Sequence, residues 1–115
     1  MIEQLSTLQQ TAVNSAAEKK AFDILVLDLR NRSDLTDFFI VCSGNSKVHV
    51  QSVVDAILDN CYQTHNKPLA IEGYSGGNWV VVDLGDLIVH GIKIGPIQRV
   101  FQLKNYQSLI KIHFK

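Results

Sequence analysis

The chain has 115 residues, 46% of them hydrophobic and 19% charged, a length and composition that predict one folded domain over 1–115 and exclude a disordered chain. Eleven Lys and Arg balance eleven Asp and Glu, which disfavours general nucleic-acid binding through phosphates. No apolar run approaches the roughly 18 to 20 residues that cross a bilayer, Met1-Ile2-Glu3-Gln4 has no basic-then-apolar or Arg-rich leader, and Cys42 and Cys61 are too few for a disulfide framework, so a bacterial cytoplasm is the expected compartment, with no membrane partner.

In chain order, Ile2, Leu5, Leu8, Ala12, Val13, Ala16 and Ala17 recur at intervals of three and four and predict an amphipathic helix over the first twenty residues. Ile24 to Leu29 and Phe38 to Cys42 are short, nearly continuous apolar runs, read as two strands buried on both faces. Val50, Val53, Val54, Ile57, Leu58 and Cys61 stand at i, i+3, i+4, i+7, i+8 and i+11, a helix with Asn45 or Ser46 as its cap. Leu69 to Glu72, Trp79 to Leu84 and Leu87 to Ile92 are three further strands, joined by the glycine-rich turn from Gly73 to Asn78 and the tight pair Gly85-Asp86, and so expected to form a meander. Beyond Gly95-Pro96 the pattern is mixed: Ile97, Val100 and Phe101 suit a helix, whereas Ile110, Ile112 and Phe114 alternate as a strand does. The expectation is an α/β fold in the order α-β-β-α-β-β-β plus a C-terminal segment, with a single mixed five-stranded sheet flanked by helices.

Four groups of residues are candidates for chemistry. Ser43-Gly44-Asn45-Ser46-Lys47 lies between a strand and a helix, where free amides and a lysine can hold an anion; the full phosphate-loop and dinucleotide patterns are absent, and an ordinary capped turn is the favoured reading. Asp83 and Asp86 converge on a metal only if the Gly85 turn folds them together, and turn caps account for them more simply. His49, His65, His90 and His113 lack partners at zinc-ligand spacing, and His90 reads as a structural or interface histidine before a general base. Trp79, the sole tryptophan, reads as a core anchor, with a docking anchor on a sheet face as the alternative.

Charge is unevenly distributed along the chain. Residues 1–91 carry six basic and eleven acidic side chains, whereas 92–115 carry Lys93, Arg99, Lys104, Lys111 and Lys115 and no acid. Such a split suits a basic partner with phosphate nearby, and equally a pattern that serves solubility alone.

Asp37-Phe38-Phe39-Ile40-Val41, Ser43-Gly44-x-Ser46, Glu72-Gly73 and the run Trp79-Val80-Val81-Val82-Asp83-Leu84-Gly85-Asp86-Leu87-Ile88-Val89-His90 resemble the ribosomal silencing factor family, also called Iojap-like. The match is strongest over 21–90, and 91–115 departs from the family as a divergent basic tail. What the resemblance implies is a nucleotidyltransferase-like fold without catalysis, and a factor that binds the large ribosomal subunit through its ribosomal protein number fourteen, blocks joining of the small subunit and represses translation under nutrient limitation. It implies no enzyme, cofactor or metal. It shifts Trp79 toward docking, with Tyr74, Asp83, Leu84, Asp86 and His90 as neighbours in a partner-binding patch, and it leaves the basic tail for a peripheral contact with ribosomal RNA. The competing readings are a nucleotide-binding transferase that uses the Ser43–Lys47 turn with Asp83 and Asp86, and a small homodimeric scaffold with no ribosome contact.

Overall fold

A computed structural model of the protein describes residues 5–31, 34–94 and 110–114. Helix α1, Thr7–Glu18, opens with a capping box in which the Gln9 amide donates to Ser6 Oγ and the Ser6 amide to Gln9 Oε1, both at 3.1 Å. Strands β1, Phe22–Asp28, and β2, Phe38–Gly44, precede helix α2, Lys47–Gln63. Strands β3, Ala70–Glu72, β4, Trp79–Asp83, and β5, Leu87–Lys93, follow, and β6 is Ile110–Phe114.

The two expected helices and five expected strands form, in one mixed α/β sheet, the first helix beginning only at Thr7; Ile2 lies outside the described residues. The C-terminal segment adds a sixth strand, so the spatial order is β3-β4-β5-β2-β1-β6. The alternation of Ile110, Ile112 and Phe114 therefore marks a strand, and it pairs antiparallel with β1 from Asp28↔Ile110 to Ile24↔Phe114. The helical spacing of Ile97, Val100 and Phe101 lies outside the described residues. Strands β3, β4 and β5 form the expected antiparallel meander, and β2 and β5 are parallel neighbours, from Phe38↔Leu87 to Gly44↔Lys93.

Both helices pack on one face of the sheet. Val50, Val53, Val54, Ile57 and Cys61 from α2 and Ala12, Val13 and Ala16 from α1 meet Ile24, Val26, Ile40, Cys42, Val80, Val82 and Val89, all of them buried. This cluster is the main source of stability, since burying one such branched side chain is worth roughly 1.5 to 3 kcal/mol. Leu27, Leu29, Phe39, Val41, Ile88 and Ile92 form a second buried cluster on the opposite face. Apolar residues on both faces of β1, β2 and β5 explain their continuous runs in the sequence.

Close packing sets the turn between β2 and α2. A Cβ on Gly44 would lie 2.9 Å from Val50 Cγ2 and 3.1 Å from the Val50 amide nitrogen, so the sheet approaches the helix only where a side chain is missing. Ser46 caps α2 by accepting from the His49 amide at 3.1 Å. The His49 ring holds two turns together, with Nδ1 accepting from the Asn45 amide at 2.9 Å and Nε2 lying 2.8 Å from the Lys19 carbonyl oxygen.

Candidate functional site

Alternation along β4 puts Val80 and Val82 under the helices and turns Trp79, Val81 and Asp83 to the other face. On β5 the same parity gives Ile88, His90 and Ile92 that face. Trp79 pairs with Ile92 and Val81 with His90, so Trp79 and His90 are diagonal neighbours across the strand pair. The Trp79 indole Nε1–H donates to His90 Nδ1 at 3.0 Å, and the His90 ring meets the Phe39 ring edge-on with centroids 4.5 Å apart. Three rings thus run in a row over β4, β5 and β2. The row is graded in burial: Phe39 and His90 are both 7% exposed, Trp79 36%.

Trp79 is absent from both core clusters and stands at the surface end of the row, its polar atom fixed from below. The core-anchor reading of Trp79 gives way here: the residue opens β4, belongs to neither buried cluster and keeps about a third of its surface exposed. Burial lowers the His90 pKa to about 4, so the ring is neutral near pH 7 and can accept through Nδ1.

Tyr74 lies at the same end of the sheet, 37% exposed, in the loop before β4. Its hydroxyl donates to Asp55 Oδ1 on α2 at 2.7 Å, and this bond, followed by desolvation and the Asp55 charge, raises the phenol pKa. Its carbonyl accepts from Gln51 Nε2, also at 2.7 Å.

The other expected partner-binding residues lie at the opposite end. Asp83 shares the face of Trp79 four residues along β4, roughly 13 Å away at 3.3 Å per residue, and its Oδ1 accepts from the Gly85 amide at 2.9 Å, a turn cap. Asp86 is exposed in that turn, and its carbonyl accepts from the Phe38 amide at 3.1 Å. Leu84 packs against the helix-side core cluster, which takes it off the face that carries Trp79. The structure therefore gathers Tyr74, Trp79 and His90 at one end and Asp83, Leu84 and Asp86 at the other. Gln51 and Asp55 carried no signal in the sequence, since polar residues on the outer side of a helix are the ordinary solvated case.

The same geometry separates the residues a nucleotide-using site would have to bring together. Ser43 pairs with Ile92, whereas Asp86 directly precedes Leu87, the partner of Phe38. Ser43 is five residue steps along β2 from Phe38, roughly 16 Å. Within the Ser43–Lys47 turn the Asn45 amide is engaged by the His49 ring, and just beyond it the His49 amide by Ser46 Oγ. Among the described residues no three His, Cys, Asp or Glu side chains gather closely enough to ligate one ion. Cys42 and Cys61 are buried in the core, which pushes their thiols up to about 12 and about 11 and leaves no thiolate for chemistry.

Fold and surface together define a small mixed-sheet α/β domain whose most distinctive feature is an aromatic surface braced by a buried histidine. The profile of the family described as "Ribosomal silencing factor during starvation", RsfS, matches residues 2–94. The chain is 36% identical over 83 residues to a protein of Halalkalibacterium halodurans named Ribosomal silencing factor RsfS, covering 72% of this chain and 71% of that one. It is also 36% identical over 84 residues to the Bacillus subtilis protein of that name, covering 73% and 71%. A crystal structure from Bacillus halodurans superposes with a TM-score of 0.80 at 28% identity, covering 91% of this chain and 97% of that one. The chain belongs to the ribosomal silencing factor family, whose names place it in translation regulation.

Proposed function

We propose that this protein associates with the ribosome and acts by occupancy alone. It docks through the face of β4 and β5 that carries Trp79 onto protein number fourteen of the large subunit, in a bacterial cytoplasm, and excludes the small subunit when nutrients are scarce. The single observation that carries the reading is the Trp79 ring, pinned by His90 and only partly covered. An amphipathic ring held in one rotamer at a surface loses little freedom on binding, which is why tryptophan dominates interface hot spots. The ribosome enters through the relatives, which are named ribosomal silencing factors.

A steric blocker needs no reaction centre. It needs an interface of roughly 1,200 to 2,000 Å² in total and enough bulk behind it to clash, and a domain measuring 34 × 33 × 25 Å supplies both. The acidic Asp83 and Asp86 suit a basic ribosomal protein, tuning encounter rate and specificity more than affinity. The transferase reading lacks support among the described residues, where the Ser43–Lys47 turn and Asp83 and Asp86 lie at opposite ends of the sheet.

The test mixes purified small and large subunits with excess protein and follows their joining by sedimentation. Joining should fall, and Trp79→Glu should restore it while leaving a folded protein, with at least ~2 kcal/mol lost from large-subunit binding. Undiminished joining with the wild-type chain overturns the proposal; failure to co-sediment with large subunits at all favours the homodimeric scaffold.

A further inference from the structure

The loop that leads into β4 is tied down along one side of α2. Lys47, Gln51 and Asp55 are spaced at i, i+4 and i+8 and so share one side of that helix. Gly77 is buried against the first of them at φ +70°: a Cβ there would meet Lys47 Cβ at 2.8 Å and Cα at 3.1 Å. Gln51 Nε2 donates to the Tyr74 carbonyl at 2.7 Å, and the Tyr74 hydroxyl donates to Asp55 Oδ1 at 2.7 Å. From the other side, the Lys93 amide of β5 donates to the Asn78 carbonyl at 2.8 Å. Trp79 follows Asn78 directly.

Residues 73–78 contain three glycines, and a segment of that composition has much conformational freedom to lose. The helix does not need these contacts for its own packing, which comes from Val50, Val53, Val54, Ile57 and Cys61 on a different side. What they fix is the path of the chain into the aromatic surface. We infer that Gln51 and Asp55 are positioning residues, which hold the 73–78 loop so that Tyr74 and Trp79 stand in one arrangement before any partner arrives. The inference rests on the docking function proposed above. A binding surface populated only part of the time binds more weakly by that fraction, so loosening the loop weakens docking without removing any contact to the partner.

Because Trp79 is the sole tryptophan, its fluorescence reports on the end of this loop. The experiment compares full-length wild type, the double variant Gln51→Ala/Asp55→Ala, Tyr74→Phe and Trp79→Glu. It measures thermal melting, acrylamide quenching of Trp79 where that residue is present, and binding to isolated large subunits. The double variant should melt within a few degrees of wild type, quench more readily, and bind roughly three- to tenfold more weakly. Tyr74→Phe, which loses only the bond to Asp55, should increase quenching by a smaller amount.

Unchanged quenching in both variants overturns the inference, even if binding falls, because Gln51 and Asp55 would then be contacts in their own right. Raised quenching with unchanged binding overturns it too, since the arrangement would be irrelevant to docking. Trp79→Glu separates the two ideas. If it binds as wild type does, the docking function fails and the inference falls with it; if it abolishes binding while the double variant matches wild type in every measurement, the inference fails alone.

Discussion

Trp79 donates to His90 and His90 must accept, and that asymmetry makes the pair sensitive to pH. A protonated imidazole carries hydrogens on both nitrogens, so Nδ1 would then point an N–H at the indole N–H. Burial already opposes the charge and lowers the His90 pKa from 6.5 to about 4. Above pH 6.5 the ring is neutral whether the chain is folded or not, and the stability it contributes is fully present. Between 6.5 and 4 the unfolded chain takes up a proton that the folded chain refuses, so stability is lost as pH falls through that window. Below about 4 both states are charged and no more is lost. We expect His90→Phe to be the less stable protein at pH 7, through the lost hydrogen bond, and to lack this dependence. Urea denaturation of both proteins at pH 7 and 4.5 should show the gap shifting toward the variant by on the order of 2 kcal/mol. A gap that stays constant with pH would mean that His90 is not held neutral by the fold.

Both helices end in the same strained way. After α1 the Ala21 amide donates to the Ala16 carbonyl at 3.0 Å, and after α2 the Asn66 amide donates to the Cys61 carbonyl at 2.9 Å, each bond closing over a residue in the left-handed region, Lys20 at φ 66° and His65 at φ 66°. Glycine is the usual occupant of that position, and a side chain there costs roughly 1 kcal/mol. His65→Gly should therefore raise stability by a few tenths to about 1 kcal/mol, the gain in the folded state being partly offset by the greater freedom of the unfolded chain; equal or lower stability in thermal melts would show the left-handed backbone to be unstrained. The helix ends were hidden in the sequence because the usual glycine is missing, whereas the body of α2 was plain from its apolar spacing. The meander was legible for a similar reason, since Gly73–Asn78 and Gly85-Asp86 punctuate it. Strand parity was not. Trp79-Val80-Val81-Val82 is apolar throughout, and only the helices packed over Val80 and Val82 reveal that Trp79 faces away from them. Gln51 and Asp55 matter through a loop some twenty residues distant, a relation no local pattern encodes. The sixth strand was half visible: its alternation was present, but its partner β1 lies more than eighty residues earlier.

At the scale of the whole molecule, two of the five basic residues of 92–115 stand on strands of the sheet, Lys93 on β5 and Lys111 on β6. Strand β6 contains Lys111 and lies at one edge, four strand spacings from β4 and so roughly 19 Å from the line of Trp79. A partner surface of standard size spans that distance, so one docked particle can meet both the aromatic end and the basic edge. Removing the last residues is a poor probe of that edge, because it deletes β6 along with the charge and leaves β1 with an open side. Neutralising Lys104, Lys111 and Lys115 together to Gln keeps the strand and isolates the electrostatics. If the basic segment lies against ribosomal RNA, as we propose, each phosphate contact contributes roughly 0.7 to 0.9 to the slope of log affinity against log salt. The triple variant should then bind large subunits with a slope shallower by about 2, yet keep its dependence on Trp79. An unaltered slope would confine recognition to the protein-facing end of the sheet and leave the tail's charge to solubility.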